Sequence, residues 1–414
     1  MNYGSSASAY QPALPDPAAL AALRNALSAA PKELDRIAGL ARAEAIAALC
    51  AFSARCGIAL AEGALIEALR PDAAGDARPA WHGAVADGRL SHFWLPVGLV
   101  TEGAQVLVEW AHYGAAPFDA PFFDDHLRRA RNHPISRLFR WRTRLGELTG
   151  LAPEAGPVLD GLVLHMSRCG STMVAQALAA MPGHVVLSEP APFDDLLQFC
   201  AARADIALET RIALMRGMVG ALAGGRGGAV RRRLLKADSW HTGALPLLRA
   251  AFPDTPWVFL YRDPQAVLLS HERMPGLLTL PGPQAALVGV DEPSAVPGLD
   301  LTARVLAATC HKAADHAGVG GGIFVDYAEM PGAIDARILP HFGIDPDPQE
   351  RAAMAGALSR DAKEPFKPFD PQERAARLSA SPEVIAASER HLAAAVARLR
   401  GLNPHASGLC KSLK

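Results

Sequence analysis

The 414-residue chain has little of what marks several protein classes. Its six cysteines, Cys50, Cys56, Cys169, Cys200, Cys310 and Cys410, form no CxxC pair and no ligand-spaced cluster with histidine. That scatter excludes a disulfide framework or a zinc finger and suits a reducing compartment. Net charge is almost absent, with 41 basic residues against 42 acidic ones, so no global field exists to hold a nucleic-acid backbone and any anion site must be local. No apolar run approaches the 18 or so residues of a membrane span, and Met1 to Pro15 has neither a positive segment nor an apolar core of signal-peptide length. A cytoplasmic protein without nucleic-acid or membrane partners is the expectation.

What remains is ordinary globular composition, half apolar and a fifth charged, in a chain long enough for two or three domains. Ala18 to Arg70 carries leucine and isoleucine at helical spacing and reads as about three short helices, closed by a Pro/Gly/Asp-rich linker at Pro71 to Pro79. HFWLPVGLV and AQVLVEW, within His92 to Trp110, read as two strands joined around Gly103, and Pro117 to Arg144 is aromatic and basic, ending in a helix. The arginine groups Arg128, Arg129, Arg131 and Arg231 to Arg233 read as solvated faces. His112 and His126, near Asp119, Asp124 and Asp125, match no metal-ligand motif.

After Pro157 the pattern changes. Five short apolar runs, GLVLHM (161 to 166), HVVL (184 to 187), RLLKA (233 to 237), WVFLYR (257 to 262) and GIFVDY (322 to 327), alternate with amphipathic helices. Such alternation predicts βαβ crossovers and a parallel sheet covered on both faces. The expected organisation is a helical region over 1–75, a small α+β segment over 76–156 and an α/β domain over 157–414. Between Gly276 and Pro297 the Pro, Gly and Leu content predicts a long loop over a site.

Two motifs carry chemistry. In LVLHMSRCGSTMVAQAL, Leu162 to Leu178, a buried strand enters a polar turn and then a helix. Backbone N–H groups at such a helix start favour an anion, Gly170 permits close backbone approach, Ser171 and Thr172 donate hydroxyls, and Arg168 adds charge. The turn lacks the lysine and first glycine of a Walker A loop. In WVFLYRDPQAVLLSHE, Trp257 to Glu272, Arg262 closes a strand, Pro264 opens a helix, and Ser270 lies two turns on. Ligands of open parallel sheets bind at the carboxyl edge, where Arg262 and the Ser167 turn both fall.

SRCGST followed about ninety residues later by FLYRDPxxVxxS resembles the paired cofactor motifs of the sulfotransferase superfamily, over roughly residues 158 to 345. The resemblance implies a P-loop-like α/β fold that uses 3′-phosphoadenosine 5′-phosphosulfate (PAPS) as co-substrate. It implies that Arg168, Cys169, Gly170, Ser171 and Thr172 hold the 5′-phosphosulfate and that Arg262 and Ser270 hold the 3′-phosphate. FVDYAEMPG and ILPHFGI, Phe324 to Ile344, look like the family's strand and helix after the cofactor motif. The family's late glycine-rich loop is not evident; Lys363 and Lys367 stand in a similar position.

Sulfuryl transfer in line onto an oxygen or nitrogen is served by positioning and fixed cations, without a metal. Arg168 and Lys236, at the end of its strand, are the candidate cations. Glu189, Asp238 and His241 are the candidate bases, Glu189 first because several members of the family carry a glutamate after the second strand. The acceptor, small molecule or peptide, is not legible. A P-loop kinase-like phosphotransferase and an inert nucleotide-binding interaction module are the alternatives.

Overall fold

A computed structural model describes residues 16–70, 81–82, 93–114, 116–153, 158–224, 229–290, 297–361 and 380–405. Lys363 and Lys367 lie outside them. The chain divides into two compact units, one of residues 1–115 and 125–145, the other of residues 116–124 and 146–414. The helical region and most of the α+β segment thus belong to a single unit, while residues 116–124 belong to the α/β unit.

In the first unit the alanine-rich stretch forms four helices, α1 (Pro17–Ser28), α2 (Pro31–Ala38), α3 (Arg42–Arg55) and α4 (Glu62–Ala68). Asp16 starts α1 by accepting from the Ala18 N–H at 2.9 Å, with Pro17 at the first helical position where its missing N–H costs nothing. Leu20, Leu23 and Leu27 give α1 its buried stripe. A four-stranded sheet of order β1-β4-β3-β2 accompanies them: β1 (Trp81–His82), β2 (Trp94–Glu102), β3 (Gln105–His112) and β4 (Trp141–Arg144). The hairpin expected around Gly103 is present, with Gly103 at φ 57°. Beyond it come α5 (Phe123–Asn132), α6 (Pro134–Phe139) and β4, which the sequence reading did not separate from its terminal helix. WRTR has too few apolar residues to announce a strand; its single tryptophan, Trp141, is buried by Trp94 of β2, packed edge to face against it at 5.1 Å.

The second unit is built on five strands, all parallel: β5 (Gly161–His165), β6 (His184–Ser188), β7 (Arg232–Lys236), β8 (Trp257–Tyr261) and β9 (Gly322–Asp326), in the order β6-β7-β5-β8-β9. Each expected apolar run is one of these strands. The fold class is therefore α/β, with a parallel sheet preceded in the chain by helices and a smaller sheet. The connections pass through α7 (Ser171–Ala179), then α8 (Ala191–Ala202) and α9 (Leu208–Ala223), then α10 (Leu245–Ala251), and finally α11 (Pro264–Arg273), α12 (Pro283–Leu287) and α13 (Leu299–Asp315). The chain leaves β5 toward one side of the sheet for β6 and β7 and toward the other for β8 and β9. That reversal opens a crevice between the carboxyl ends of β5 and β8.

The stretch read as a long loop holds a 3₁₀ turn, Leu277–Thr279, and α12, started by Pro283; both are too short to leave a periodic signal. α9 approaches the 3₁₀ helix Leu145–Leu151 very closely: a Cβ on Gly217 would lie 1.8 Å from the Leu148 carbonyl oxygen and one on Gly220 2.1 Å from that of Leu151. Of the arginines read as solvated faces, Arg231 pairs with Glu350 at 2.5 Å and Arg232 with Asp160 at 3.0 Å, both with their side chains still partly exposed. No helix among the described residues is long and apolar enough to cross a membrane.

Candidate functional site

The candidate site gathers at the carboxyl ends of β5, β6, β7 and β8, entirely within the second unit. Among the described residues four non-glycine residues have positive φ, and three of them, Ser167 (76°), Arg168 (50°) and Glu189 (54°), stand here. Left-handed backbone at non-glycine positions costs free energy and persists where the surroundings over-determine it. Ser167 and Arg168 turn the chain sharply between β5 and α7, and Gly170, at φ 87°, completes the turn. Gly170 is required twice over, since a Cβ there would also meet the Tyr327 ring at 2.8 Å. Ser171 and Thr172 are buried in the first turn of α7.

Cys169 points away from the crevice. Its thiol is buried, donates to the Leu260 carbonyl at 3.2 Å, and is pushed up to about 12 by that burial. Its side chain belongs to the core, so Cys169 can meet a ligand of the turn only through its backbone. Arg168 reaches across to the Met274 carbonyl at 2.9 Å, at the end of α11.

The second motif abuts the first. The Met166 N–H donates to the Leu260 carbonyl at 3.0 Å, the Arg262 N–H to Met166 Sδ at 3.2 Å, and Arg262 Nη1 to the Arg168 carbonyl at 3.2 Å. The Arg262 guanidinium lies over the Tyr327 ring, 4.4 Å from its centroid, so the ring that excludes a side chain at Gly170 also supports this cation. Asp263, the neighbouring carboxylate, accepts from the Ala266 N–H at 3.0 Å and caps α11. Ser270 is half-buried two turns along that helix.

Lys236 and Glu189 form a pair. Lys236 is 1% exposed, and its ammonium contacts Glu189 Oε1 at 2.5 Å. Register aligns Lys236 with Ser188 on one side and Val163 on the other, and the Glu189 N–H donates to the Lys236 carbonyl at 2.7 Å. Burial opposes the Glu189 charge, but the Lys236 ammonium and the His165 ring outweigh it and hold the carboxyl below the usual carboxylate range. Phe122 lies over the Lys236 ammonium at 5.4 Å, and the Ser188 hydroxyl donates to the Pro121 carbonyl at 2.9 Å. Residues 116–124 thus form a strap across the ends of β6 and β7.

His165 escaped the sequence reading, although it is the one polar side chain in GLVLHM. It is buried at the end of β5, accepts from the Ser167 N–H through Nδ1 at 3.0 Å, and brings Nε2 within 3.2 Å of Glu189 Oε1. The latter contact is a close approach and not a well-aligned hydrogen bond.

Asp238 and His241 belong to a separate arrangement. Asp238 caps the 3₁₀ helix Ser239–Ala244, and its own N–H donates to His241 Nδ1 at 3.2 Å. The His241 proton therefore sits on Nε2, which donates to Asp194 Oδ1 at 2.7 Å. The Trp240 Nε1–H reaches the same oxygen at 2.7 Å, and Gln198 Nε2 donates to Asp194 Oδ2 at 2.7 Å. Burial, together with the nearby Glu189 and Asp194 charges, raises Asp238 well above the usual carboxylate range. Asp194, Asp238 and His241 are the one group among the described residues whose donor atoms cluster as metal ligands would, all within 4.8 Å. Both His241 nitrogens and both Asp194 oxygens are already engaged in hydrogen bonds. Of the three candidate bases, Glu189 is the most open, its side chain 25% exposed against 13% for Asp238 and 0% for His241.

No protein-family model matches the chain, and no curated protein matches it. Among solved structures it is similar to the sulfotransferase from Alicyclobacillus acidocaldarius, at 15% identity over 60% of this chain and 96% of that one with a TM-score of 0.36. It is similar to the sulfotransferase domain of the Synechococcus PCC 7002 olefin synthase, at 16% identity over 58% and 96% with a TM-score of 0.34. It is likewise similar to mouse sulfotransferase SULT7A1 complexed with PAP, at 14% identity over 65% and 93% with a TM-score of 0.35.

Proposed function

We propose that the second unit is a sulfotransferase that moves a sulfuryl group from PAPS to a hydroxyl or amine acceptor. The observation that carries this reading is the contact between the two motifs: Arg262 Nη1 on the Arg168 carbonyl, at the crevice where the strand order reverses. A donor with phosphate at both its 5′ and 3′ ends needs two anion sites joined in one crevice, and a strand-turn-helix phosphate loop alone supplies one.

The residues present suit such a donor. The first N–H groups of α7 face an anion at the helix start, Gly170 leaves the space a side chain would fill, and Arg168 and Arg262 provide fixed cations. Arg168, the backbone from Ser167 to Gly170, Ser171 and Thr172 would hold the 5′-phosphosulfate; Arg262 and Ser270 would hold the 3′-phosphate. When bound, PAPS supplies an activated sulfuryl group with a phosphate leaving group. Lys236 is the buried cation for charge growing on that phosphate, and Glu189 is the base that takes the acceptor proton, with Lys236 keeping it ionised at neutral pH.

Calorimetry tests the reading. 3′-Phosphoadenosine 5′-phosphate (PAP) should bind and ATP at equal concentration should not, and Arg262→Ala should weaken PAP by about 1.5–3 kcal/mol, the worth of a hydrogen bond to a charged group. Equal affinity for the two nucleotides would remove the assignment.

The cluster of Asp194, Asp238 and His241 gives the kinase-like alternative its one foothold. Its hydrogen bonds would have to break before a metal entered. Sulfuryl transfer, followed by mass spectrometry of acceptors gaining a sulfate, should therefore persist in EDTA. Turnover lost to chelator and restored by a divalent ion would favour phosphoryl chemistry.

A further inference from the structure

We infer that His165 is a positioning residue that couples the donor turn to the base, a role that rests on the proposed sulfuryl transfer. Its two ring nitrogens face the two parts of the site that must act together. Nδ1 accepts the Ser167 N–H at 3.0 Å, and Nε2 stands 3.2 Å from Glu189 Oε1. Because an N–H points at Nδ1, the ring proton sits on Nε2, on the side of the Glu189 carboxylate.

Both partners are left-handed residues without glycine's freedom, Ser167 at φ 76° and Glu189 at φ 54°. Each needs an external hold to stay there. The imidazole holds the Ser167 N–H directly and stands against the Glu189 carboxylate, whose backbone is fixed by its N–H on the Lys236 carbonyl, and it does so from a place that cannot drift, since His165 is 4% exposed at the end of the central strand β5. Burial lowers its basicity first, with the Lys236 charge acting in the same direction. That favours the neutral ring, the only form whose Nδ1 can accept the Ser167 N–H. A bound anion that draws the turn inward pulls on the same ring that orients Glu189. The donor site and the base are thereby linked through one side chain, and His165 need not touch either substrate.

Asparagine and glutamine separate the two contacts. In His165→Asn the amide oxygen takes the place of Nδ1 and nothing reaches Glu189; in His165→Gln the amide reaches the place of Nε2 and the Ser167 N–H loses its acceptor. Losing one hydrogen bond of ordinary strength corresponds to roughly a fivefold to tenfold change. His165→Asn should bind PAP within about twofold of the wild type and lose roughly fivefold in kcat, because it removes the close approach of Nε2 to Glu189. His165→Gln should bind PAP roughly fivefold to tenfold more weakly.

A double-mutant cycle with Glu189→Gln provides a readout that general loosening of the fold would not give. His165→Asn should cost less than about twofold in kcat when Glu189 is already Gln, because its effect runs through that carboxylate. Equal losses in the two backgrounds, or the same PAP affinity for the Asn and Gln variants, would overturn the coupling while leaving the functional reading intact. A wild-type protein that binds no PAP and transfers no sulfuryl group would overturn both.

Discussion

Glu189 and Asp238 are neighbouring carboxylates pushed in opposite directions, and pH separates them. Glu189 is held below the usual range, so its stabilising contribution is complete above its unfolded value of about 4.3 and is lost as pH falls through the lower folded value. Asp238 is raised, so it stabilises below its unfolded value of about 3.9, and that contribution is lost as pH rises through the folded value. Glu189→Gln leaves the buried Lys236 without its carboxylate and should destabilise by about 3 kcal/mol at pH 8, with a smaller deficit at pH 4. Asp238→Asn should move the other way, comparing more favourably with the wild type at pH 8 than at pH 4. Thermal melts of both variants at the two pH values check this, and pH slopes of the same sign would contradict the assignment of charge. At this scale the positions of Arg168, Gly170, Arg262, Lys236 and Glu189 at strand ends and in the turn are legible in the sequence, because such positions can be read locally. It gave no hint that Cys169 turns inward or that His165 turns toward the site. Side-chain direction at a strand end depends on the neighbouring strands.

Among the elements, the five parallel strands were the most legible, since strands buried on both faces are continuous apolar runs. β4 was not, because it has one large apolar residue, Trp141, whose burial depends on Trp94 and Trp110 of other strands. The close approach of α9 to the 3₁₀ helix Leu145–Leu151 was equally hidden. Gly217 and Gly220 look like helix weakeners in the sequence, yet each admits a backbone carbonyl where a methyl would clash. Gly217→Ala should therefore destabilise by about 3 kcal/mol, although alanine is the better helix former. Chemical denaturation measures the change; a neutral or stabilising result would mean that the two helices are not held at this distance.

For the whole molecule, composition and linker signals suggested boundaries near residues 75 and 156, whereas the compact units part after residue 145 and exchange residues 116–124. Linker composition reports where a chain can bend, while membership of a unit depends on which residues bury one another. APFDAPFFD, Ala116 to Asp124, carries no periodicity and no motif, so its place beside Lys236 follows only from tertiary contacts such as those of Pro121 and Phe122.

The strap also bears on how such a protein can be inherited or rebuilt. The α/β unit takes part of its wall from a stretch of chain flanked on both sides by the other unit, so it is not a cassette that can be cut at one point and moved. A recombination joint at residue 146 would carry off all five strands and both anion motifs but leave Phe122 and Pro121 behind. A substitution at Phe122 answers to Lys236, more than a hundred residues further along the chain, as well as to its local neighbours.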